Sequence, residues 1–257
     1  MYSLLKDKSN MSNNLMNHIC FFLFIFLTLI CQKVKSIYVK DELDLQSCLS
    51  NDKDSLTINI SPNKNIDIQN DIKIINSIEK LKFEGDNENT SVLNFINNGT
   101  QFYFTENVKE IEFQNLSIIG NLFFENNINV IFKSVSIFGS IDSNFDKYNE
   151  KVSFTNVNYQ SSTISTDYCI NLGGNVNINN SQFLGSSSCK LRLLNFNGLN
   201  KYNLEIKNSH FDGNYECPCL KVDKGKNINI YSNYFTRGHI DELEDTDLNC
   251  GGLLLLI

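Results

Sequence analysis

Apolar and polar residues alternate in a ten-residue pattern that occurs six times: IEFQNLSIIG, VIFKSVSIFG, VSFTNVNYQS, VNINNSQFLG, LEIKNSHFDG and INIYSNYFTR. The copies begin at Ile111, Val130, Val152, Val176, Leu204 and Ile228, so successive starts lie 19, 22, 24, 28 and 24 residues apart. Strict alternation over the first three positions is the period of a strand with one buried face. A repeat that cannot bury its own apolar face must stack on its neighbours, so the pattern predicts a β-solenoid and excludes helical repeats.

The fifth position of each copy predicts a bend, because it is always Asn or Ser. Asn is the non-glycine residue that most readily adopts the left-handed backbone of a sharp corner. Stacked side-chain amides could also form a hydrogen-bonded ladder, for which the candidates are Asn115, Asn156, Asn180 and Asn208. A second short strand follows, with an inward column of Ile118, Ile137, Tyr159, Phe183, Phe211 and Phe235.

A third apolar stretch lies between copies, at Phe102–Phe104, Leu122–Phe124, Ile170–Leu172, Leu193–Phe196, Leu220–Val222 and Leu253–Leu255. Three short strands and three bends per turn describe a parallel β-helix. On these repeats, residues 56–257 resemble the right-handed parallel β-helix, or pectin lyase-like, family. The expected fold is therefore all-β, a right-handed parallel β-helix solenoid. The resemblance also implies an N-terminal cap, for which residues 37–55 supply a strand at Ile37–Val39 and an amphipathic helix from Asp41 to Leu49.

Residues 1–36 predict a signal peptide. Lys6 and Lys8 precede a 13-residue apolar run from Ile19 to Cys31, and Val34-Lys35-Ser36 is a plausible cleavage region. The run is shorter than the roughly 20 residues that span a bilayer, so an uncleaved anchor is the weaker alternative. The chain stops in register with another turn, which predicts truncation at the C-terminus. A longer parent could carry a membrane span there, and the chain would then be part of a receptor ectodomain.

Composition fits a secreted or cell-surface protein. The formal net charge is −7 and Arg192 and Arg237 are the two arginines, so nucleic-acid binding has no electrostatic support.

Sequons at Asn59, Asn89 and Asn98 predict glycosylation; those at Asn115 and Asn179 also fit the motif. Cys169, Cys219 and Cys250 each lie just before a third strand, which suits disulfides between neighbouring turns. The spacing of Cys217-Pro218-Cys219 is not a common zinc pattern.

The catalytic patterns that the resemblance suggests are absent. Polygalacturonase-type enzymes use adjacent aspartates, a G-H-G segment and an R-x-K segment, and Arg237-Gly238-His239 matches neither segment. Pectate lyases use an arginine base beside calcium-binding carboxylates, for which this chain has few candidates.

Another candidate site follows from the repeat register. Two outward columns are predicted on the second strands: Ser117, Ser136, Asn158, Gln182, His210 and Tyr234, beside Ile119, Phe138, Gln160, Leu184, Asp212 and Thr236. His210, Asp212 and Arg237 are candidate acid–base residues, and the same three with Tyr234 and His239 are candidate ligand-binding residues. The alternative is that all of them are solvated surface residues.

Cofactors are not expected, although Asp241, Glu244, Asp245 and Asp247 could bind Ca²⁺ if they are not simply a solvated loop. Tyr159 and Tyr231 could stack on sugar rings, with core packing as the default explanation. The segments 142–151, 198–202 and 241–249 are predicted recognition loops.

The sequence therefore predicts a secreted or cell-surface β-helix module with a structural, adhesive or glycan-binding role and no catalysis. The partner would be a polysaccharide or a cell-surface glycan, and contact with a membrane would come only through a missing C-terminal part or an uncleaved signal. A polysaccharide lyase or glycoside hydrolase and a receptor ectodomain are the alternatives.

Overall fold

The computed structural model describes residues 35–50, 54–97, 100–125, 128–143, 145, 150–162, 166–239 and 254–256. Apart from Lys35, these residues belong to one compact unit, Ser36–Ile257. Within the described residues, one helix and a series of short strands form the fold. The helix is α1 (Glu42–Leu49), and the strands are β1 (Lys35–Val39), β2 (Ser55–Ile60), β3 (Lys64–Ile68), β4 (Ile72–Ile74), β5 (Ile78–Glu84), β6 (Ser91–Phe95), β7 (Gln101–Phe104), β8 (Val108–Ile119), β9 (Asn121–Phe124), β10 (Asn129–Gly139), β11 (Ile141–Ser143), β12 (Lys151–Ser161), β13 (Thr166–Leu172), β14 (Asn175–Asn179), β15 (Gln182–Leu184), β16 (Cys189–Asn197), β17 (Asn203–Lys207), β18 (His210–Asp212), β19 (Leu220–Asp223), β20 (Asn227–Tyr231), β21 (Tyr234–Thr236) and β22 (Leu254–Leu256).

These strands wind into a parallel β-solenoid of about eight turns within the described residues. One sheet has the order β1-β2-β5-β8-β10-β12-β14-β17-β20, and the second strands β3, β6, β15, β18 and β21 also belong to it. The other sheet has the order β22-β19-β16-β13-β11-β9-β7-β4. Strands of successive turns pair in parallel register, as between β10 and β12. The predicted all-β parallel solenoid is thereby confirmed.

The bend inside each repeat has left-handed backbone at the expected position. Asn115, Ser134, Asn156, Asn180, Asn208 and Ser232 all have φ between 50° and 55°. Strands β8, β10 and β12 continue through this bend, whereas later turns are interrupted by it. The pairs Lys133↔Gln114 and Val135↔Leu116 flank the bend, so bends of neighbouring turns stack on one another.

Stacked aromatic rings fill the core. Phe83, Phe113, Phe132 and Phe154 form one column in which neighbouring ring centroids lie 5.2, 5.2 and 5.0 Å apart. Phe183, Phe211 and Phe235 form a second column with centroids 4.7 and 5.1 Å apart. Because parallel in-register pairing places equivalent residues one strand spacing apart, an inward Phe in every turn produces such a column.

The third strands match the predicted apolar stretches and include two, β4 and β11, that the predicted stretches do not contain. Strand β11 (Ile141–Ser143) lies between β9 and β13, so the predicted recognition loop 142–151 begins inside a strand. Its central residue is Asp142 and only Ile141 is a large apolar residue, which leaves no alternation to detect. Two earlier turns, from β2 to β7, precede the first complete repeat.

The helix α1 packs on the first turn as the expected cap. Asp41 is its N-cap and accepts a hydrogen bond of 2.9 Å from the Asp44 backbone N–H. Leu45, Cys48 and Leu49 join the core, whereas Leu43 is 77% exposed, so the apolar face is narrower than predicted. In the part of the chain that the structure describes, no helix has the length and apolar character needed to cross a membrane.

A disulfide between Cys169 and Cys189 connects neighbouring turns through β13 and β16. Sequence reasoning selected Cys169 correctly but gave it no partner. Cys219, also expected in such a bond, is a buried free thiol among the described residues, and Cys250 lies outside them.

Candidate functional site

An open groove of about 860 Å³ crosses the outward face of the second strands. Its floor has two columns. The polar column contains Ser117, Ser136, Asn158, Gln182 and His210, and the second column contains Ile119, Phe138, Gln160, Leu184 and Asp212. The second column is mainly apolar, so one edge of the groove presents hydroxyls and amides and the other presents hydrocarbon.

Both columns form because strands of successive turns pair in parallel, which places equivalent residues next to one another. Ser136 pairs with Ser117 and with Asn158, and Gln182 pairs with Asn158 and with His210. Four strand spacings of about 4.8 Å separate Ser117 from His210, so the floor extends about 19 Å along the solenoid. Alternate residues of one strand face the same way, which separates the two columns by roughly 7 Å.

The amides in the middle of the groove are available to a ligand. Asn158, Gln160 and Gln182 are exposed, and none of the three side chains makes a hydrogen bond to another described residue. Each carboxamide offers two donor hydrogens and an acceptor oxygen. A polyhydroxylated molecule lying in the groove would therefore meet unused hydrogen-bonding groups at three points.

The loop 85–90 forms one end of the groove. Ser117 Oγ on the floor donates a hydrogen bond to the Glu88 carbonyl and so anchors the loop. Gly85 lets the loop approach the bend, since a Cβ there would lie 2.2 Å from the Asn115 carbonyl oxygen. Glu88, Asn89 and Val92 line this end.

An ion pair closes the opposite end. Arg237 Nε lies 2.8 and 3.0 Å from the two carboxylate oxygens of Asp212, and Arg237 Nη2 donates a further hydrogen bond to Oδ2. Asp212 also accepts from the Asn214 backbone N–H at 2.9 Å. Burial alone would raise the pKa of Asp212, but these hydrogen bonds outweigh it and hold that pKa below its ordinary value. The same pairing raises the pKa of Arg237.

His210 lines the groove beside this ion pair and contacts a hydroxyl. Its Nε2 lies 2.7 Å from Thr236 Oγ1, and its ring meets that of Tyr234 edge to face with centroids 6.4 Å apart. Tyr234 is 73% exposed and continues the polar column one strand beyond the residues that line the groove. The backbone N–H of His239 donates to the Cys217 carbonyl, and His239 is not among the lining residues.

Among the described residues, the groove lining holds no close pair of carboxylates for glycoside hydrolysis. The two that line it there, Glu88 and Asp212, belong to opposite ends of its roughly 19 Å floor. Hydrolases of this type need two carboxyl groups within about 10 Å. Asp212 is held ionised by Arg237, and Arg237 is itself engaged, so neither is poised to move a proton.

Sequence reasoning missed the loop that ends the groove, because the insertion at residues 85–90 interrupts the repeat.

The side-chain hydrogen bonds between asparagines of neighbouring turns lie in columns other than the predicted one. Asn195 Nδ2 donates to Asn171 Oδ1 at 2.9 Å, and Asn227 Nδ2 donates to Asn203 Oδ1 at 2.7 Å. Among described residues, no such bond joins Asn115, Asn156, Asn180 and Asn208 to one another.

The residue after each later bend makes a second ladder. The backbone N–H of Val157 donates to Ser181 Oγ at 3.1 Å, that of Ser181 to Ser209 Oγ at 3.1 Å, and that of Ser209 to Asn233 Oδ1 at 2.9 Å. The change from Leu116, Val135 and Val157 to Ser181, Ser209 and Asn233 at equivalent positions is the sequence signal of this ladder.

Tyr159 is not an exposed stacking platform. It is 3% exposed, and its hydroxyl lies 2.6 Å from the Gly139 carbonyl oxygen, to which it donates, and 3.2 Å from the Cys169 carbonyl oxygen. Its place in the inward column explains the burial. Tyr231 is 43% exposed, and its hydroxyl lies 3.3 Å from Glu205 Oε1.

Among the described residues, no group of three or more His, Cys, Asp and Glu side chains is placed so that it could hold a metal ion. Burial raises the pKa of the Cys217 thiol to about 12 and that of Cys219 to about 11, so both thiols are protonated at neutral pH. The calcium candidates Asp241, Glu244, Asp245 and Asp247 lie outside the described residues, as does the recognition loop 241–249.

The sequons occupy different environments. Asn89 is exposed at the end of the groove, Asn59 is half-buried in β2, and Asn98 lies outside the described residues.

Comparison of the chain with models of known families, with curated proteins and with solved structures finds no match.

Proposed function

We propose that this protein is a secreted or cell-surface β-helix module that binds a linear glycan in the groove without cleaving it. The observation that carries the proposal is the two-sided floor, with the free amides of Asn158 and Gln182 along one edge and a mainly apolar column, in which Gln160 and Asp212 are the polar members, along the other. Sugar rings are amphipathic in the same way, since hydroxyls project from their edges and C–H bonds cover their faces. A groove that matches both properties over about 19 Å suits an oligosaccharide of several residues.

Membership of the right-handed pectin lyase-like family is part of the proposal. It is supported by three strands per turn and a helical cap, and by the strong preference of parallel crossovers for the right hand. Secretion or surface display is supported by the apolar segment Ile19–Cys31 and by the Cys169–Cys189 disulfide, since disulfides persist in oxidising compartments.

The test is oligosaccharide binding by the full chain on a glycan array, followed by calorimetry with each glycan retained. We expect Asn158→Ala/Gln182→Ala to weaken binding about tenfold, because two hydrogen bonds of roughly 0.7 kcal/mol each are lost. Asn177→Ala is the matched control, since Asn177 faces outward from β14 but does not line the groove. Retention of no glycan, or equal affinity of the groove variant and wild type, would contradict the proposal.

Two further controls sharpen the test. Asn89→Gln removes the sequon at the end of the groove, so its comparison with wild type shows whether an attached glycan interferes with binding. Incubation with each bound polysaccharide should release no shorter product. If wild type releases shorter products and His210→Ala does not, the enzymatic alternative would replace the binding role.

A further inference from the structure

We propose that the groove selects uncharged polysaccharides and discriminates against polymers of uronic acids. The inference rests on the proposed glycan-binding function and names the class of ligand. It follows from where charge is placed along the groove.

The middle of the groove is uncharged. From Ser117 to Gln182 the polar column contains only hydroxyl and carboxamide side chains, and Ile119, Phe138, Gln160 and Leu184 lie beside them. Sugar hydroxyls both donate and accept hydrogen bonds, and carboxamides do the same. A carboxylate on each sugar would have to leave water for a surface that offers no opposite charge there, which is costly.

Charge is confined to the two ends. Glu88 lies at one end, and Asp212 and Arg237 lie at the other, so the lining carries a formal excess of one negative charge. Arg237 is the one arginine or lysine among the described lining residues, and its guanidinium is bonded to both oxygens of Asp212. It also lies over the Tyr215 ring, with Cζ 5.5 Å from the ring centroid.

Because Asp212 occupies the Nε–Nη2 edge of Arg237, a ligand carboxylate can take that edge only by displacing Asp212, and at the remaining Nη1 donors it would meet a guanidinium whose charge is already neutralised. Breaking that pair would leave the Asp212 carboxylate, whose side chain is 13% exposed, without its counter-charge. An isolated charge in a mostly buried position is strongly unfavourable. Asp212 thus neutralises the groove's own arginine, and the remaining formal negative charge of the described lining, that of Glu88, repels acidic sugars.

The experiment compares neutral hexasaccharides, of gluco- and manno-configured sugars, with a hexamer of galacturonate, by calorimetry on the full chain at low and physiological salt. We expect at least one neutral hexamer to bind ten or more times more tightly than the acidic one, which corresponds to about 1.4 kcal/mol. The difference should narrow at higher salt, because screening reduces repulsion.

A variant tests the neutralised arginine directly. Asp212→Asn removes the counter-charge and should raise the affinity for the galacturonate hexamer at least about fivefold at low salt, the factor expected from roughly 1 kcal/mol of charge pairing. Asp223→Asn is the control, because it removes one negative charge outside the groove lining. A gain in both variants would reflect net charge alone and would contradict the role given to Arg237.

The outcomes separate this inference from the function on which it rests. Wild-type protein that binds the acidic hexamer as tightly as any neutral one, with the Asn158→Ala/Gln182→Ala variant impaired, overturns the selectivity and leaves glycan binding intact. No binding of either class overturns both. An Asp212→Asn variant with unchanged affinity for galacturonate overturns the assignment of Arg237 as a neutralised cation.

Discussion

At the scale of single residues, the bend of each turn depends on one left-handed position. Asn208 has φ of 50° and an exposed side chain, so its contribution comes from backbone conformation rather than burial. We expect Asn208→Val to lower the free energy of unfolding by about 1–2 kcal/mol, because a β-branched residue resists this conformation. Urea denaturation would measure the loss. Asn208→Gly should lose less, and equal losses would show that backbone handedness is not the cause.

The Asp212–Arg237 pair predicts a pH dependence of stability. The pKa of Asp212 is lower in the folded protein than in the unfolded chain, where it is about 4. Its stabilising contribution is therefore complete above that value and is lost as the pH falls through the folded pKa. We expect Asp212→Asn to be less stable than wild type at pH 7, with the difference shrinking as the pH falls below about 4 and through the folded pKa, as measured by urea midpoints. A difference that does not change with pH would contradict the role of this ionisation.

At the scale of secondary-structure elements, the Cys169–Cys189 disulfide joins β13 to β16 across 20 residues of chain. Closing a loop of that length restricts the unfolded state by roughly 3 kcal/mol. We expect Cys169→Ser/Cys189→Ser to lose about that much unfolding free energy. The variant should be insensitive to a reducing agent that destabilises wild type, and equal sensitivity of both proteins would disprove the contribution of this bond.

At the scale of the whole molecule, stability is distributed along stacked turns. Phe132 lies in the middle of its column, with ring centroids 5.2 Å from Phe113 and 5.0 Å from Phe154. We expect Phe132→Ala to cost about 3–5 kcal/mol and Phe132→Leu clearly less, because leucine retains much of the buried volume. Hydrogen exchange should accelerate most in β8, β10 and β12, since each turn contacts only its neighbours. Uniform acceleration throughout the solenoid would contradict this local coupling.

The repeat could be recognised in the sequence because its alternation is local. Ile111, Phe113 and the left-handed Asn115 follow from spacing within ten residues, and the structure has them in a buried strand and a bend. Strand β11 could not be recognised, since Asp142 occupies its centre. The loop 85–90 was equally invisible, because an insertion has no period and its anchor to Ser117 joins residues 29 positions apart.

The outward columns were predictable from register, but the groove was not. Sequence reasoning listed Asn158, Gln182, His210 and Asp212 as neighbours on one face, and strand pairing does align them. It found no cleft around them and could not assign the partners of His210 and Asp212. Those contacts, to Thr236 and Arg237, depend on how one turn is laid over the next.

The amino-acid sequence by itself determined the parallel solenoid, the left-handed bend and the inward aromatic columns, because each is encoded by alternation and residue type within a single turn. Only the tertiary structure decided that the outward columns form a groove, that Glu88 and Asn89 lie at one end of it, and that Asp212 neutralises Arg237 at the other. These features arise from contacts between residues of different turns, and such contacts leave no periodic trace in the chain.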